Sequence, residues 1–220
     1  MPDALTQLKG APRARPEHPC TSRQRSAGFV LFSAAVLLLA ACGGGSPLDN
    51  PDTVQNPAGS GGRKLSFIYY QKCVHPVFIA LLQINQNGVI STNTCAASGC
   101  HDDANSNGGA FRLNGNAAPV NVATTPADTI RTTAMYRNFY SAQGEVVLNA
   151  PLSSRLLTKP LLRGVLHGGG RIFSSDQDPN VQLIQYWITR PMPEGQDEFS
   201  TAASSMFSNG DPDTGTCNTQ

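Results

Sequence analysis

The segment Cys95-Ala96-Ala97-Ser98-Gly99-Cys100-His101 holds two thiols and an imidazole within seven residues. Two thiols at short spacing can add to the two vinyl groups of a haem. A histidine directly after the second thiol then rises beneath the iron as an axial ligand. The common spacing for this chemistry is Cys-x-x-Cys-His. Here four residues separate the cysteines, a rarer spacing, and the Cys-His dipeptide is kept. Ala, Ser and Gly make an intervening loop small enough to bulge outward. The segment predicts one covalent haem c on Cys95 and Cys100, with His101 as a metal ligand.

A second ligand must come from elsewhere in the chain. His167-Gly168-Gly169-Gly170 offers an imidazole on a backbone that can approach a flat macrocycle closely. His167 is therefore the expected distal ligand. Met192, in Pro191-Met192-Pro193, and His75, beside Pro76, are the rivals. In the alternative reading His167 is a loop residue that bonds a propionate or solvent. Bis-His ligation sets a lower potential than Met/His, because Met raises it.

Two further readings of the same residues stand beside this one. In the first the chain is haem-free, Cys95 and Cys100 close a small disulfide loop, and the domain is a binding module. In the second Cys95, Cys100, His101 and His167 hold zinc, although exported proteins seldom keep free thiolates for it. Asp103-x-Asn105-x-Asn107-Gly108 opens like a calcium loop. Its twelfth position is Asn114 rather than a bidentate Glu, so an Asn/Gly turn is the preferred reading. No nucleophile elbow, Ser/His/Asp order or paired-carboxylate pattern supports an enzyme activity.

The elements around these residues resemble the cytochrome c domains of multidomain proteins from planctomycetes and related bacteria. The resemblance lies in the order of short pieces. Val74-His75-Pro76-Val77-Phe78 precedes the Cys-His pair. Gly108-Gly109-Ala110-Phe111-Arg112-Leu113 and Pro151-Leu152-Ser153-Ser154-Arg155-Leu156-Leu157 follow, and Trp187-Ile188 comes last. It covers most of residues 70 to 190. It departs from the family in the cysteine spacing and in the distal loop, where the family has Met-Pro-Pro. It implies a mainly α, class I cytochrome c-like helical domain with long loops, acting in electron transfer with a redox partner that the sequence does not identify.

Hydrophobic periodicity places a helix over 64–83, interrupted at Pro76, and leaves 84–121 as loop. Thr125-Pro126-Ala127-Asp128 opens a helix to about Tyr140. Asn149-Ala150-Pro151 opens a short one through Leu157. Asp178-Pro179 starts the last helix, which Pro191 ends.

The N-terminal part reads as an address. Arg13, Arg15, Arg23 and Arg25 precede the uncharged, mostly apolar run Gly28 to Ala41. A basic flank and a short apolar core describe a signal peptide over 1–41. Leu39-Ala40-Ala41-Cys42 resembles the lipobox of bacterial lipoproteins, which implies lipidation of Cys42. A flexible Gly/Pro/Asn-rich tether then covers 42–63, and the domain covers 64–217. These features place the protein in the cell envelope, lipid-anchored to a membrane. Gly43, where an inner-membrane retention signal would have Asp, leans towards the outer membrane.

Of the 220 residues only 14% are charged, against roughly 25% in soluble domains. Five of the 16 bases and two of the 15 acids precede Cys42, so 11 bases face 13 acids in the remainder. That balance excludes the clustered basic face that binds nucleic acid. Once Cys42 takes lipid and Cys95 and Cys100 take haem, Cys73 and Cys217 remain. They could form a disulfide across nearly the whole domain, or stay unpaired.

Overall fold

The computed structural model describes residues 62–105 and 108–220. The proposed signal segment, Cys42 and all but the last two tether residues lie outside the described residues, as does Asn107.

The chain enters through Leu65 and Ser66, both buried. Ser66 Oγ accepts the backbone N–H of Tyr69 and starts a helix. Three pieces follow without a break: α1 (Phe67–Tyr69), a π-helical turn (Tyr70–Val74) and α2 (His75–Ile79). The widened turn has a local cause. Pro76 has no N–H to donate and its ring crowds the preceding turn. The N–H of His75 reaches back five residues to the Tyr70 carbonyl instead.

The helix ends earlier than the periodicity of 64–83 predicts. Ala80 is extended, with ψ 151°. The chain then makes a two-stranded antiparallel hairpin, β1 (Leu82–Gln86) and β2 (Val89–Asn93), in the register Gln86 opposite Val89. Its turn is Asn87-Gly88, with φ of 54° and 88°. Both residues sit in the left-handed region that such tight turns require.

The expected helix from Ala127 to Tyr140 is two helices, α3 (Ala127–Arg131) and α4 (Ala134–Gln143). Thr132 and Thr133 divide them. Their hydroxyls bond the carbonyls of Thr129 and Ile130, and Thr133 then caps α4 through Tyr136 N. A 3-10 turn (Pro151–Ser153) leads into α5 (Arg155–Thr158). The last and longest helix, α6 (Pro179–Thr189), has 11 residues, with Asp178 as its cap. Two 3-10 segments, Thr201–Met206 and Ser208–Gly210, close the chain.

The expectation of a mainly α, class I cytochrome c-like helical domain is therefore corrected. The described residues are about 35% helical, in six short helices beside a two-stranded antiparallel sheet. The physical reason is punctuation. Pro76, the Asn87-Gly88 turn and the Thr132-Thr133 pair each stop a helix that the apolar pattern would continue.

An aromatic cluster holds these short pieces together. Tyr70 packs against Trp187 (5.4 Å between centroids) and edge-on to Phe139 (5.5 Å), and Phe67 meets Phe139 at 90°. Trp187 Nε1 donates to the Ser66 carbonyl at 2.9 Å, locking α6 to the first helix. Cys73, in the π-turn, is joined by a disulfide to Cys217, 144 residues away. Lys72, next to Cys73, donates to the carbonyls of Pro212 and Asp213 in the same C-terminal segment.

Candidate metal centre

The hairpin and two loops bring the motif histidines together. Thr94 to His101 folds as consecutive turns: Ala97 N donates to Thr94 O, Cys100 N to Ala97 O and His101 N to Cys95 O. His101 is then paired with the segment Phe111–Leu113, since Leu113 N donates to His101 O at 2.7 Å. Gly108 makes this close approach possible. Its φ is +82°, and a Cβ there would lie 2.1 Å from Cys100 O and 2.6 Å from His101 Nδ1.

The imidazole of His101 is held on two sides. Phe111 packs against it at 4.8 Å, and Phe78 of α2 supports Phe111 at 5.2 Å. His101 Nδ1 lies 3.1 Å from the Phe111 carbonyl. A carbonyl only accepts, so Nδ1 carries the proton and Nε2 is left with its lone pair. Burial holds the ring below its ordinary pKa, against the opposing pull of that hydrogen bond, and His167, Lys159 and Arg112 add to the lowering. His101 is thus a neutral imidazole at neutral pH.

His167 reaches the same place from the other end of the domain. Its loop is fastened to the hairpin: Asn85 and Arg171 exchange both backbone hydrogen bonds, at 2.8 and 2.9 Å, and Gln86 Nε2 donates to Gly168 O. Gly170 is the glycine this contact requires. Its φ is +78°, and a Cβ would lie 2.6 Å from Asn85 O. His167 Nδ1 donates to the Gly170 carbonyl at 2.8 Å, so Nε2 is again the free nitrogen. Among the described residues neither Nε2 has a hydrogen-bond partner.

The two rings face each other with centroids 6.1 Å apart and planes 14° from parallel. Two metal–nitrogen bonds of about 2 Å, with each ring centre about 1.1 Å beyond its nitrogen, put the centroids of trans imidazoles roughly 6 Å apart. The pair could hold one metal ion from opposite sides, with the four positions around the equator left to a planar tetradentate group.

Cys95 and Cys100 remain free thiols, both partly exposed. Burial, with a smaller contribution from Cys100, pushes the Cys95 thiol up to about 12, so it is protonated and is not an activated exchange cysteine. Asn93 Nδ2 lies 3.8 Å from Cys100 Sγ. No group of three or more His, Cys, Asp or Glu side chains converges on a metal point among the described residues, so the four-residue zinc site is not assembled.

The rival ligands sit elsewhere. His75 is buried, and its Nε2 accepts from Asn138 Nδ2 at 3.1 Å. Asn138 also bridges the backbone N–H and carbonyl of Asn114. His75 is thus part of a buried polar hub, and burial lowers its pKa. Met192 is buried in the core, and its N–H donates to Lys64 O.

Two features of the site went unread in the sequence. One is the hairpin that clasps the His167 loop, for which Asn87-Gly88 was a usable signal. The other is a rim of exposed apolar residues on the segments around the histidines. Leu166 is 95% exposed and Leu81 77%, with Val89, Ile90 and Val165 beside them in sequence or in the hairpin. Compared with protein-family models, with curated proteins and with solved structures, the chain matches none. No helix among the described residues is long and apolar enough to cross a membrane.

Proposed function

We propose that this chain carries one covalently attached haem c and serves electron transfer at the cell envelope. Cys95 and Cys100 form the thioethers, and His101 and His167 are the axial ligands. The observation that carries the reading is the pairing of the two imidazoles, 6.1 Å apart and nearly parallel, each with Nδ1 donating to a carbonyl. Those carbonyls fix the tautomer and raise the basicity of the ligating nitrogen. The exposed apolar rim of the hairpin and the His167 loop supplies the walls that a porphyrin needs and that water alone does not stabilise. Bound there, haem iron supplies one-electron transfer between its ferric and ferrous states. The protein holds both imidazoles neutral and in place through the change. The redox partner is a protein outside the present chain.

Lipidation of Cys42 would tether the domain to the membrane surface through the glycine-rich stretch that follows it. The deciding experiment is a pyridine haemochrome spectrum, with a haem-stained denaturing gel, of protein matured beside an active haem-c assembly system. A stained band that Cys95→Ala plus Cys100→Ala abolishes is the expected result. A colourless wild-type protein overturns the reading. Cys42→Ser should block lipidation and separate processed protein from the membrane; unchanged membrane association of a processed variant overturns the anchor.

A further inference from the structure

Three buried side-chain atoms among the described residues have no hydrogen-bond partner: Tyr70 Oη, Gln143 Oε1 and Arg112 Nη1. The first two are neutral. Arg112 is different, because a guanidinium stays charged at every accessible pH. A buried, unpaired cation is far costlier than a buried phenol or amide, and it needs an anion beside it. Among the described residues no carboxylate forms an ion pair with Arg112.

This arginine is not a loose surface side chain. Its N–H donates to Ser141 Oγ at 2.6 Å. Its two neighbours are both bonded to His101, Phe111 through its carbonyl and Leu113 through its N–H. Arg112 is therefore fixed on the His101 side of the centre.

A second cation approaches from the His167 side. Lys159 ends α5 and precedes Pro160, whose carbonyl accepts from Ile172 and Phe173, just beyond the His167 loop. The positive fields of both Lys159 and Arg112 reach the His101 ring. The acid of this neighbourhood, Glu145, faces Arg155 at 3.7 Å and feels the charge of both Arg155 and Lys159. It forms no ion pair with Arg112.

We propose that Arg112 and Lys159 form a carboxylate-binding cradle that takes a haem propionate, Arg112 donating through Nη1 and Lys159 through Nζ. This rests on the haem reading above and adds to it how the ring is oriented between the two histidines. A guanidinium fork beside an ammonium matches a carboxylate in charge and in hydrogen-bond geometry. The cradle also holds two positive charges near the iron, which favours the reduced state.

The test uses the full chain matured with haem, as wild type, Arg112→Gln, Arg112→Lys and Lys159→Gln. Haem content, the propionate bending mode in resonance Raman spectra and the midpoint potential are read on the same samples at one pH and salt concentration. Arg112→Gln should shift the propionate mode towards weaker hydrogen bonding and lower the potential. Arg112→Lys should keep the potential near that of wild type, and Lys159→Gln should reproduce both changes to a smaller extent. Equal mode and potential in haem-loaded wild type and Arg112→Gln overturn the cradle and leave the haem reading standing. A wild type without haem overturns both. Should Arg112→Gln fail to fold, Lys159→Gln decides by the same two readouts.

Discussion

His167 owes its position to one short hydrogen bond and one strand contact, which makes it the more removable of the two imidazoles. His101 is gripped by Phe111, by its own backbone pairing and by the adjacent Cys100, whereas His167 hangs on Gly170 O and on the Asn85–Arg171 bridge. The haem-loaded wild type should therefore give a low-spin bis-His ferric spectrum, without the weak long-wavelength absorption of a Met–iron bond. His167→Ala should turn the iron high-spin and open it to cyanide or carbon monoxide. Met192→Ala should leave the spectrum as it is and cost about 2–5 kcal/mol of stability, because Met192 fills the core. A spectrum perturbed by Met192→Ala and untouched by His167→Ala would overturn the assignment of the distal ligand. At this scale the sequence was informative about side-chain identity: Cys95, Cys100, His101 and His167 stand out by type and spacing. It was silent on Arg112, whose importance lies in a missing partner, and on His75, whose place is set by Asn138, 63 residues away.

The hairpin is the element on which the centre depends, and its glycines can be tested separately. Gly88 lies in an open turn at φ +88°, and a Cβ there would meet nothing within 4 Å. Gly88→Ala should cost about 1 kcal/mol in chemical denaturation and leave the iron spectrum intact. Gly170→Ala meets both a positive φ and the Asn85 carbonyl, so it must push the His167 loop off the hairpin. It should cost more, about 1–3 kcal/mol, and convert part of the iron to high-spin with haem content unchanged. Equal spectra for the two variants would show that the hairpin does not position His167. The hairpin was legible in principle, since Asn-Gly between apolar residues signals a tight turn. The continuing apolar pattern of Leu81, Leu82 and Ile84 masked it as the end of a helix. Leu81 is in fact exposed, and the stripe that predicted its burial ended at Ile79.

At the scale of the whole molecule, two long-range ties hold the C-terminal segment to the helical part. The Cys73–Cys217 disulfide closes a loop of 144 residues and removes about 5 kcal/mol of chain freedom from the unfolded state. Cys73→Ala plus Cys217→Ala should lower the melting temperature by roughly 10–20 °C in calorimetry, and an unchanged value would deny the bond its structural role. The second tie is Glu198, buried and bonded to Tyr136 Oη and to Arg131. Burial alone would raise its carboxyl; its own backbone N–H, Tyr136 and Arg131 outweigh that and hold it below the ordinary 4.5. A depressed carboxyl contributes stability above the unfolded value that is lost as pH falls through the folded one. Stability should therefore decline below about pH 4.5, and Glu198→Gln should flatten that part of the melting-temperature profile. An identical acid limb in both proteins would remove Glu198 from the account.

The sequence by itself determined what local chemistry can encode: the thiol-thiol-imidazole motif, the glycine-backed second histidine, the caps at Asp178 and the stops at Pro76 and Pro191. Those signals act within a few residues, so they survive without knowledge of the fold. Tertiary structure alone decided that His101 and His167, 66 positions apart in the chain, stand ring to ring, and that Cys73 lies beside Cys217. It also decided that the apolar stripe after Ile79 turns into a clasp for the distal loop rather than another helical turn. Each of these depends on where distant segments bury their surface, and the aromatic cluster around Tyr70, Phe139 and Trp187 settles that choice only when the whole chain has packed around it.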